Sequence, residues 1–255
     1  MARPVHYFCD VKNTNHGEAI LAGWNAERVW VGRARLARGA SLHLIGGLQF
    51  GSLEILREAR ETKAPYVFFD RAYFGGGPGT NRLRAVPGAY QKNWVEDRPG
   101  DRLEALGVRL EPWRAKGRHI LLVPPSAAVA RLFDLGDWEA KTLRRLKDCT
   151  DRPVVVSYKG DPKPLADRLA GCHAVVTWTS NVAVEAAVAG IPAFVGPESA
   201  AAPVATQLEY LERLIESPLM PDTREAWAAS LAHGQFSVEE IKRGFAREVL
   251  STGGA

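Results

Sequence analysis

The stretch His173-Ala-Val-Val-Thr-Trp-Thr-Ser180-Asn-Val-Ala-Val-Glu185-Ala-Ala-Val-Ala-Gly190-Ile-Pro192-Ala-Phe-Val195 reads as five pieces in succession. They are a buried strand, a polar turn, a helix, a Gly-Ile-Pro stop and a second buried strand. Val175 and Val176 make the first apolar run, and Ala193, Phe194 and Val195 the second. Thr179, Ser180 and Asn181 are N-cap residue types standing where the helix should begin. A helix that starts at the carboxyl end of a strand turns free backbone N–H groups toward a crevice, where open α/β sheets bind phosphates. Glu185 falls about one turn into that helix, within reach of a ribose hydroxyl if phosphates sit at the turn.

The same alternation extends in both directions. In the first half, Val5–Cys9 reads as a strand, followed by a polar turn over Asp10–Asn15 and an amphipathic helix from His16 to Glu27. Val29–Val31 and Ser41–Ile45 read as strands, and Ser52–Lys63 as a helix with Leu53, Ile55 and Leu56 on its apolar side. Pro65–Phe69 is a buried strand that delivers Asp70, Arg71, Tyr73 and Phe74 at its carboxyl end. A second run places strands at Ile120–Val123 and Pro153–Ser157, and helices at Trp138–Lys147 and Pro164–Leu169. Beyond Pro197, helical stretches are expected at Val204–Ile215, Arg224–Leu231 and Ser237–Leu250. The last opens on the capping-box sequence Ser237-Val-Glu-Glu240. From Gly75 to Arg114 the pattern is irregular and rich in Gly, Pro, Arg and Trp, with no regular element predicted.

Two successive strand–helix runs predict an α/β protein of two Rossmann-like parallel-sheet domains facing each other across a cleft. The boundary is expected near Pro112–Gly117. That gives domains over residues 1–115 and 116–236, with 237–255 as a C-terminal helix. The 255 residues suit two compact domains, and 46% hydrophobic with 24% charged residues is an ordinary globular composition. No apolar run is long enough to span a bilayer and the N-terminus lacks a signal-peptide core, so a cytoplasmic protein with no membrane partner is expected. The three cysteines, Cys9, Cys149 and Cys172, form no CxxC pair and read as reduced packing residues.

Charge is unevenly distributed. Residues 71–118 carry eight Arg and two Lys against five acids, whereas the whole chain nets only +4. A basic segment in an otherwise near-neutral chain suits an anionic ligand, either a nucleotide or a polynucleotide, and equally a solvated loop.

In a doubly wound domain the loops after the strands converge on one crevice. The second half offers Ser126, Lys159, and the set Thr179, Ser180 and Asn181, with Glu185 behind. Together these supply hydroxyls, an ammonium, a capped helix start and a carboxylate, an inventory that matches a nucleotide diphosphate. The more modest reading has Ser180 and Asn181 only capping the helix and Glu185 on its exposed face.

The segment Thr177–Phe194, with Ser180, Glu185 and Gly190-Ile-Pro192, resembles the donor-site region of GT-B-fold glycosyltransferases and their sugar-nucleotide epimerase relatives. The wider pattern is similar to a group of phage-encoded glycosyltransferase-like proteins. It includes Asp70-Arg-Ala-Tyr-Phe74, Gly117-Arg-His119, Pro124-Pro-Ser126, Asp151-Arg-Pro153 and Ala232-His-Gly-Gln-Phe236. The resemblance implies a Ser-rich turn on phosphate, a helix glutamate on ribose, and a nucleotide-sugar such as a UDP-sugar as co-substrate, with no other cofactor. The chain has no Asp-x-Asp carboxylate pair, and GT-B types stabilise the leaving group through helix dipole and basic side chains. No metal site is therefore expected, and Lys159 and the Ser180 turn would neutralise the departing diphosphate. Phage origin would place the protein in the cytoplasm of an infected bacterial host.

Inverting transfer requires a base for the acceptor proton. Asp70, at the end of the more convincing strand, ranks first, ahead of His16 and Glu18 in Asn13-Thr-Asn-His-Gly-Glu18. For Asp70 the structural alternative is a salt bridge to a nearby Arg. Arg71, Tyr73, Arg82 and Arg84 are the acceptor-binding candidates. With Phe74, Tyr90, Lys92, Trp94 and Arg98 they would suit double-stranded DNA with a flipped base, a hydroxymethylated pyrimidine being the expected acceptor. A lid hinged at Gly75–Gly79 is the other reading of that loop. A surface-polysaccharide acceptor, and a non-catalytic nucleotide- or DNA-binding protein, remain the alternatives.

Overall fold

The computed structural model describes residues 5–9, 15–31, 36, 40–48, 51–76, 79–114 and 116–252. The N-terminal residues 1–4, most of the polar turn at 10–14, and residues 77 and 78 of the glycine run lie outside the described residues.

In chain order the first run is β1 (Val5–Cys9), α1 (Asn15–Trp24), β2 (Glu27–Trp30), β3 (Leu42–Gly46), α2 (Ser52–Thr62), β4 (Tyr66–Arg71) and β5 (Arg82–Pro87). A short helix, α3 (Asp101–Ala105), precedes the second run. That run opens with β6 (His119–Val123), α4 (Ala127–Leu132), α5 (Trp138–Cys149), β7 (Val154–Val156), α6 (Leu165–Leu169) and β8 (Cys172–Thr177). It continues with α7 (Val182–Val188), β9 (Ala193–Val195), β10 (Thr206–Gln207), α8 (Leu211–Leu214) and α9 (Arg224–Ala232). The chain closes with β11 (Gln235–Ser237), α10 (Val238–Lys242) and α11 (Phe245–Thr252).

Two sheets result, a six-stranded one ordered β11-β5-β4-β3-β1-β2 and a five-stranded one ordered β10-β9-β8-β6-β7. The second is parallel throughout. The first is parallel from β2 to β4, and β5 runs antiparallel to both β4 and β11. The expected α/β class of two Rossmann-like sheets therefore holds, with an antiparallel addition on the first. The chain divides differently from the expected boundaries. One unit is Met1–Tyr90 plus Gly234–Ala255, and the other is Gln91–His233. The C-terminal segment does not form a separate helix after the second domain; it rejoins the first sheet through β11.

Central parallel strands are covered on both faces and must be apolar on both. In β8 all six residues are buried, and in β4 Tyr66 to Phe69 are. The core of the first unit gathers Tyr7, Leu44, Val67 and Phe69 from the sheet against Ile20 and Trp24 of α1, with Ile241 and Ala246 from α10 and α11. In the second unit, Ile120, Leu122, Ala174, Val176 and Phe194 meet Trp138 and Leu146 of α5 and Leu211 of α8. Each of the Val, Leu, Ile and Phe side chains among these contributes about 1.5–3 kcal/mol through burial.

Two helix ends follow their sequence signals. The Ser237 capping box forms, with Ser237 Oγ accepting from Glu240 N and Glu240 accepting from Ser237 N. At the other end of α7, Gly190 takes φ +72°, with Ile191 N bonded to Ala186 O and Gly190 N to Ala187 O. That is the Schellman pattern, which needs a residue tolerant of left-handed φ. Where the sequence suggested one helix over Val204–Ile215, the chain instead makes β10, a 3-10 turn at Leu208–Tyr210 and the single turn of α8. The expected helix from Ser237 to Leu250 is broken by Gly244, at φ +83°, into α10 and α11. No helix among the described residues is long and apolar enough to cross a membrane.

The return of the C-terminus to the first unit rests on close backbone approach. A Cβ at Gly23 of α1 would overlap the Ile241 carbonyl oxygen of α10. Gly23→Ala is therefore expected to destabilise the protein by roughly 1–3 kcal/mol, the usual range for overpacking, read as a lower midpoint in urea unfolding. An unchanged midpoint would mean that α10 does not seat on α1.

Candidate functional site

The second unit's sheet determines which loops can meet. Strands β6 to β9 are parallel, so the segments after Val123, Val156, Thr177 and Val195 all leave from one edge. From β6 the chain moves to β7 on one side and then crosses to β8 on the other. The 2-1-3-4-5 order opens its crevice between the first and third strands, here β6 and β8. Val123 pairs with Thr177 across that position, and Thr177 Oγ1 donates to Val123 O at 2.7 Å. Ser126 and Ser180 each stand three residues past that pair.

Ser126 caps α4, its Oγ accepting from Val129 N at 3.4 Å. Thr179 is buried, and its carbonyl accepts from Gln91 Nε2 at 2.8 Å. Ser180 Oγ accepts from Val182 N at 3.3 Å, and Ser180 N donates to Thr177 Oγ1 at 3.4 Å. The turn therefore does not present free N–H groups at 180 and 182, contrary to expectation. Both bonds are at the long end of the range, which makes them weak. Lys159 is exposed in the loop after β7, with no ion-pair partner among the described residues.

Sequence reasoning missed Arg168 of α6. Its Nη1 donates to the buried Ser157 hydroxyl at the end of β7, Asp161 lies 3.9 Å away, and its Nε is buried without a partner. Its positive charge also acts on Glu185, which Asn181 hydrogen-bonds. Glu185 lies on the exposed face of α7, yet the protein packed around its carboxyl raises its pKa, and the Asn181 bond and the Arg168 charge only partly reverse that. Ser157, Arg168, Asn181 and Glu185 thus form one polar cluster at the carboxyl edge. Two further buried polar atoms at this edge have no partner among the described residues, Trp178 Nε1 and Glu198 Oε2. The Trp178 ring lies over Gly196, where a Cβ would come within 2.6 Å of it. Nothing in the periodicity of α6 marked Arg168, because only the fold brings it to the strand ends.

In the first unit the structure changes the ranking of the candidate bases. Asp70 Oδ2 accepts from Arg84 Nη2 at 2.9 Å and Oδ1 from Arg71 N at 2.8 Å, so both carboxylate oxygens are engaged. Asp70 and Arg84 are direct cross-strand partners. Such a carboxylate neutralises a buried guanidinium. Glu18 is paired with Arg28 at 2.5 Å. His16 makes a different contact. Its Nε2 lies 3.2 Å from the Thr80 carbonyl oxygen, which can only accept, so the proton belongs on Nε2 and the lone pair on Nδ1.

The proposed acceptor surface is mostly interior. Tyr73 and Arg84 are 1% and 3% exposed, and Arg84 lies over the Tyr73 and Tyr90 rings at 5.4 and 5.5 Å. Phe74 and Tyr90 are buried as well. Lys92 is buried against Glu96, which Trp94 and Arg98 also contact. Burial would raise the Glu96 pKa, but the hydrogen bonds from Trp94, Lys92 and Arg98 bring it down to about 2. Only Arg71 and Arg82 of the four acceptor candidates are exposed. These buried cations and rings cannot stack on an unpaired base.

No family model matches the chain, and no curated protein does. The solved structures that share its fold include two from KpsC of Thermosulfurimonas dismutans. The beta Kdo 2,7 transferase aligns with a TM-score of 0.55 at 14% identity, over 96% of this chain and 99% of that one. The beta Kdo 2,4 transferase aligns with a TM-score of 0.50 at 15% identity, over 90% of each chain. At such identities the likeness is one of fold: two α/β units, each built on a largely parallel sheet.

The raised pKa of Glu185 makes a stability prediction. Ionisation costs the folded state more than the unfolded one, so the penalty grows as pH rises from the ordinary carboxylate range through the folded value. Glu185→Gln should therefore raise Tm at neutral pH, with the difference vanishing below about pH 4. A Tm difference independent of pH, in thermal melts across that range, would contradict the reading of a carboxyl crowded by its neighbours.

Proposed function

We propose that the chain is a glycosyltransferase that moves a sugar from a nucleotide-sugar donor to a saccharide hydroxyl. The observation that carries this reading is the polar cluster of Ser157, Arg168, Asn181 and Glu185, with Ser126 and Ser180 each three residues past the Val123–Thr177 pair at the β6–β8 crevice. Hydroxyls and a guanidinium suit the phosphates, and a carboxylate with a raised proton affinity suits a ribose hydroxyl. The fold shared with two Kdo transferases over at least 90% of the chain supports glycosyl transfer as the reaction class.

In this reading Ser126, Ser180 and Arg168 hold the donor phosphates, with Lys159 adding charge from its exposed loop. Glu185 accepts from the ribose. A general base takes the proton from the acceptor hydroxyl; His16, with its lone pair on Nδ1 and its Nε2 proton toward the Thr80 carbonyl, is the first unit's candidate for that role. The acceptor oxygen attacks the anomeric carbon as the bond to phosphate breaks, and the nucleotide leaves with that electron pair. The basic groups at the donor phosphates stabilise the charge that develops there.

A saccharide acceptor is favoured over a DNA base because Tyr73, Arg84, Tyr90 and Lys92 are inside the protein. The phage DNA reading would need those groups at the surface.

Calorimetry with a panel of nucleotide-sugars tests the donor site. Glu185→Ala should weaken binding by roughly tenfold, the effect of one lost hydrogen bond to a charged group. His16→Ala should leave donor affinity unchanged and lower kcat by roughly 10²–10⁴-fold. Donor affinity indifferent to Glu185 would remove the site assignment. The acceptor is read from salt dependence. Affinity for hydroxymethylated DNA should be absent or non-specific, whereas saccharide transfer should change little between about 50 and 200 mM salt. A steep loss of transfer over that range would restore the DNA reading.

A further inference from the structure

The first unit holds a pocket of about 600 Å³ at the opposite end of its sheet from the strand-end loops, where β1, β3 and β4 begin. Val5, Leu42 and Val67 line it from the sheet, Trp24 from the end of α1, and Leu250 and Arg247 from α11. Val5 and Leu42 are register partners, so their side chains share one face of adjacent parallel strands. Arg247 and Leu250, three residues apart on a helix, share a face in the same way. The volume lies within the range of sites for small organic ligands.

We propose that this pocket binds a single amphipathic anion, a molecule with an alkyl or aryl body and a phosphate, sulfate or carboxylate head. Its walls are mainly aliphatic and aromatic, so a wholly polar ligand would leave its hydrogen bonds unmet there. The charged side chain on its rim is Arg247, exposed and with no ion-pair partner among the described residues, and no acidic side chain lines it. A guanidinium on an apolar rim selects an oxyanion head, and does so through paired N–H donors. Ser251, one residue beyond Leu250, donates its hydroxyl to the Arg247 carbonyl and so holds that turn of α11 together. Neither the donor cluster nor His16 takes part in this site, so it stands or falls independently of the proposed glycosyl transfer.

The test is calorimetric titration with dodecyl phosphate below its micelle concentration, with dodecyl maltoside as the neutral control. Wild-type protein should bind one dodecyl phosphate saturably, and quenching or shift of Trp24 fluorescence, lost in Trp24→Phe, should follow the same isotherm. Arg247→Gln, an exposed substitution that should not disturb folding, should weaken dodecyl phosphate roughly tenfold and leave dodecyl maltoside unchanged. Leu250→Glu, placing a carboxylate at the mouth, should abolish dodecyl phosphate binding while circular dichroism stays native. No saturable binding to the wild type overturns the proposal. So does equal affinity in the wild type and Arg247→Gln, or binding only to anionic vesicles and never to the monomer.

Discussion

The second unit depends on β8 being paired on both sides and buried on both faces. Its six residues have no exposed position, so the strand can exist only between β6 and β9 with helices above and below. That burial forces the chain to turn sharply at Thr177, whose hydroxyl closes onto Val123 instead of meeting water. Every polar group that follows, from Thr179 to Glu185, is thereby delivered to one edge beside the loop from β6. The chemistry assigned to this unit is a consequence of that packing: a parallel strand that cannot shift register holds the turn after it in place.

The first unit solves a different electrostatic problem. Its β5 carries arginines at two of six positions, and Arg84 is buried. A lone buried guanidinium would be prohibitive, and Asp70, directly opposite in the ladder, neutralises it while Tyr73 and Tyr90 cover it. The same arrangement repeats in the other unit on a smaller scale, where Glu96 collects Lys92, Trp94 and Arg98. What reads along the chain as a basic, aromatic stretch suited to nucleic acid is for the most part internal wiring.

Most strands and helices with strong apolar periodicity could be read directly: β1, β3, β4, β6, β7, α2, α5 and α9 fall within a few residues of expectation. The elements that could not be read are those whose stability comes from a distant partner. The arginines of β5 hide its strand character, and that strand exists because β4 and β11 flank it. Three-residue β11 has no signal of its own and pairs with a strand about 150 residues earlier in the chain. The stretch after Pro197 has helical periodicity, but Thr206 and Gln207 add a strand beside β9 and interrupt it. At the site, Ser126, Ser180 and Glu185 were visible because caps and strand ends have local signatures. Arg168 was not, because its role comes from reaching the end of β7 from a neighbouring helix.

By itself the sequence determined what local physics can settle. That includes the α/β class, the strand–turn–helix at Thr177–Val188, the Gly190 stop and the Ser237 cap, because each follows from residue type and spacing within a few positions. Only the tertiary structure decided which charges are neutralised, which strand ends are neighbours and where the C-terminus returns. Those outcomes depend on strand order and on burial, and both are properties of residues far apart in the chain that no window along it contains.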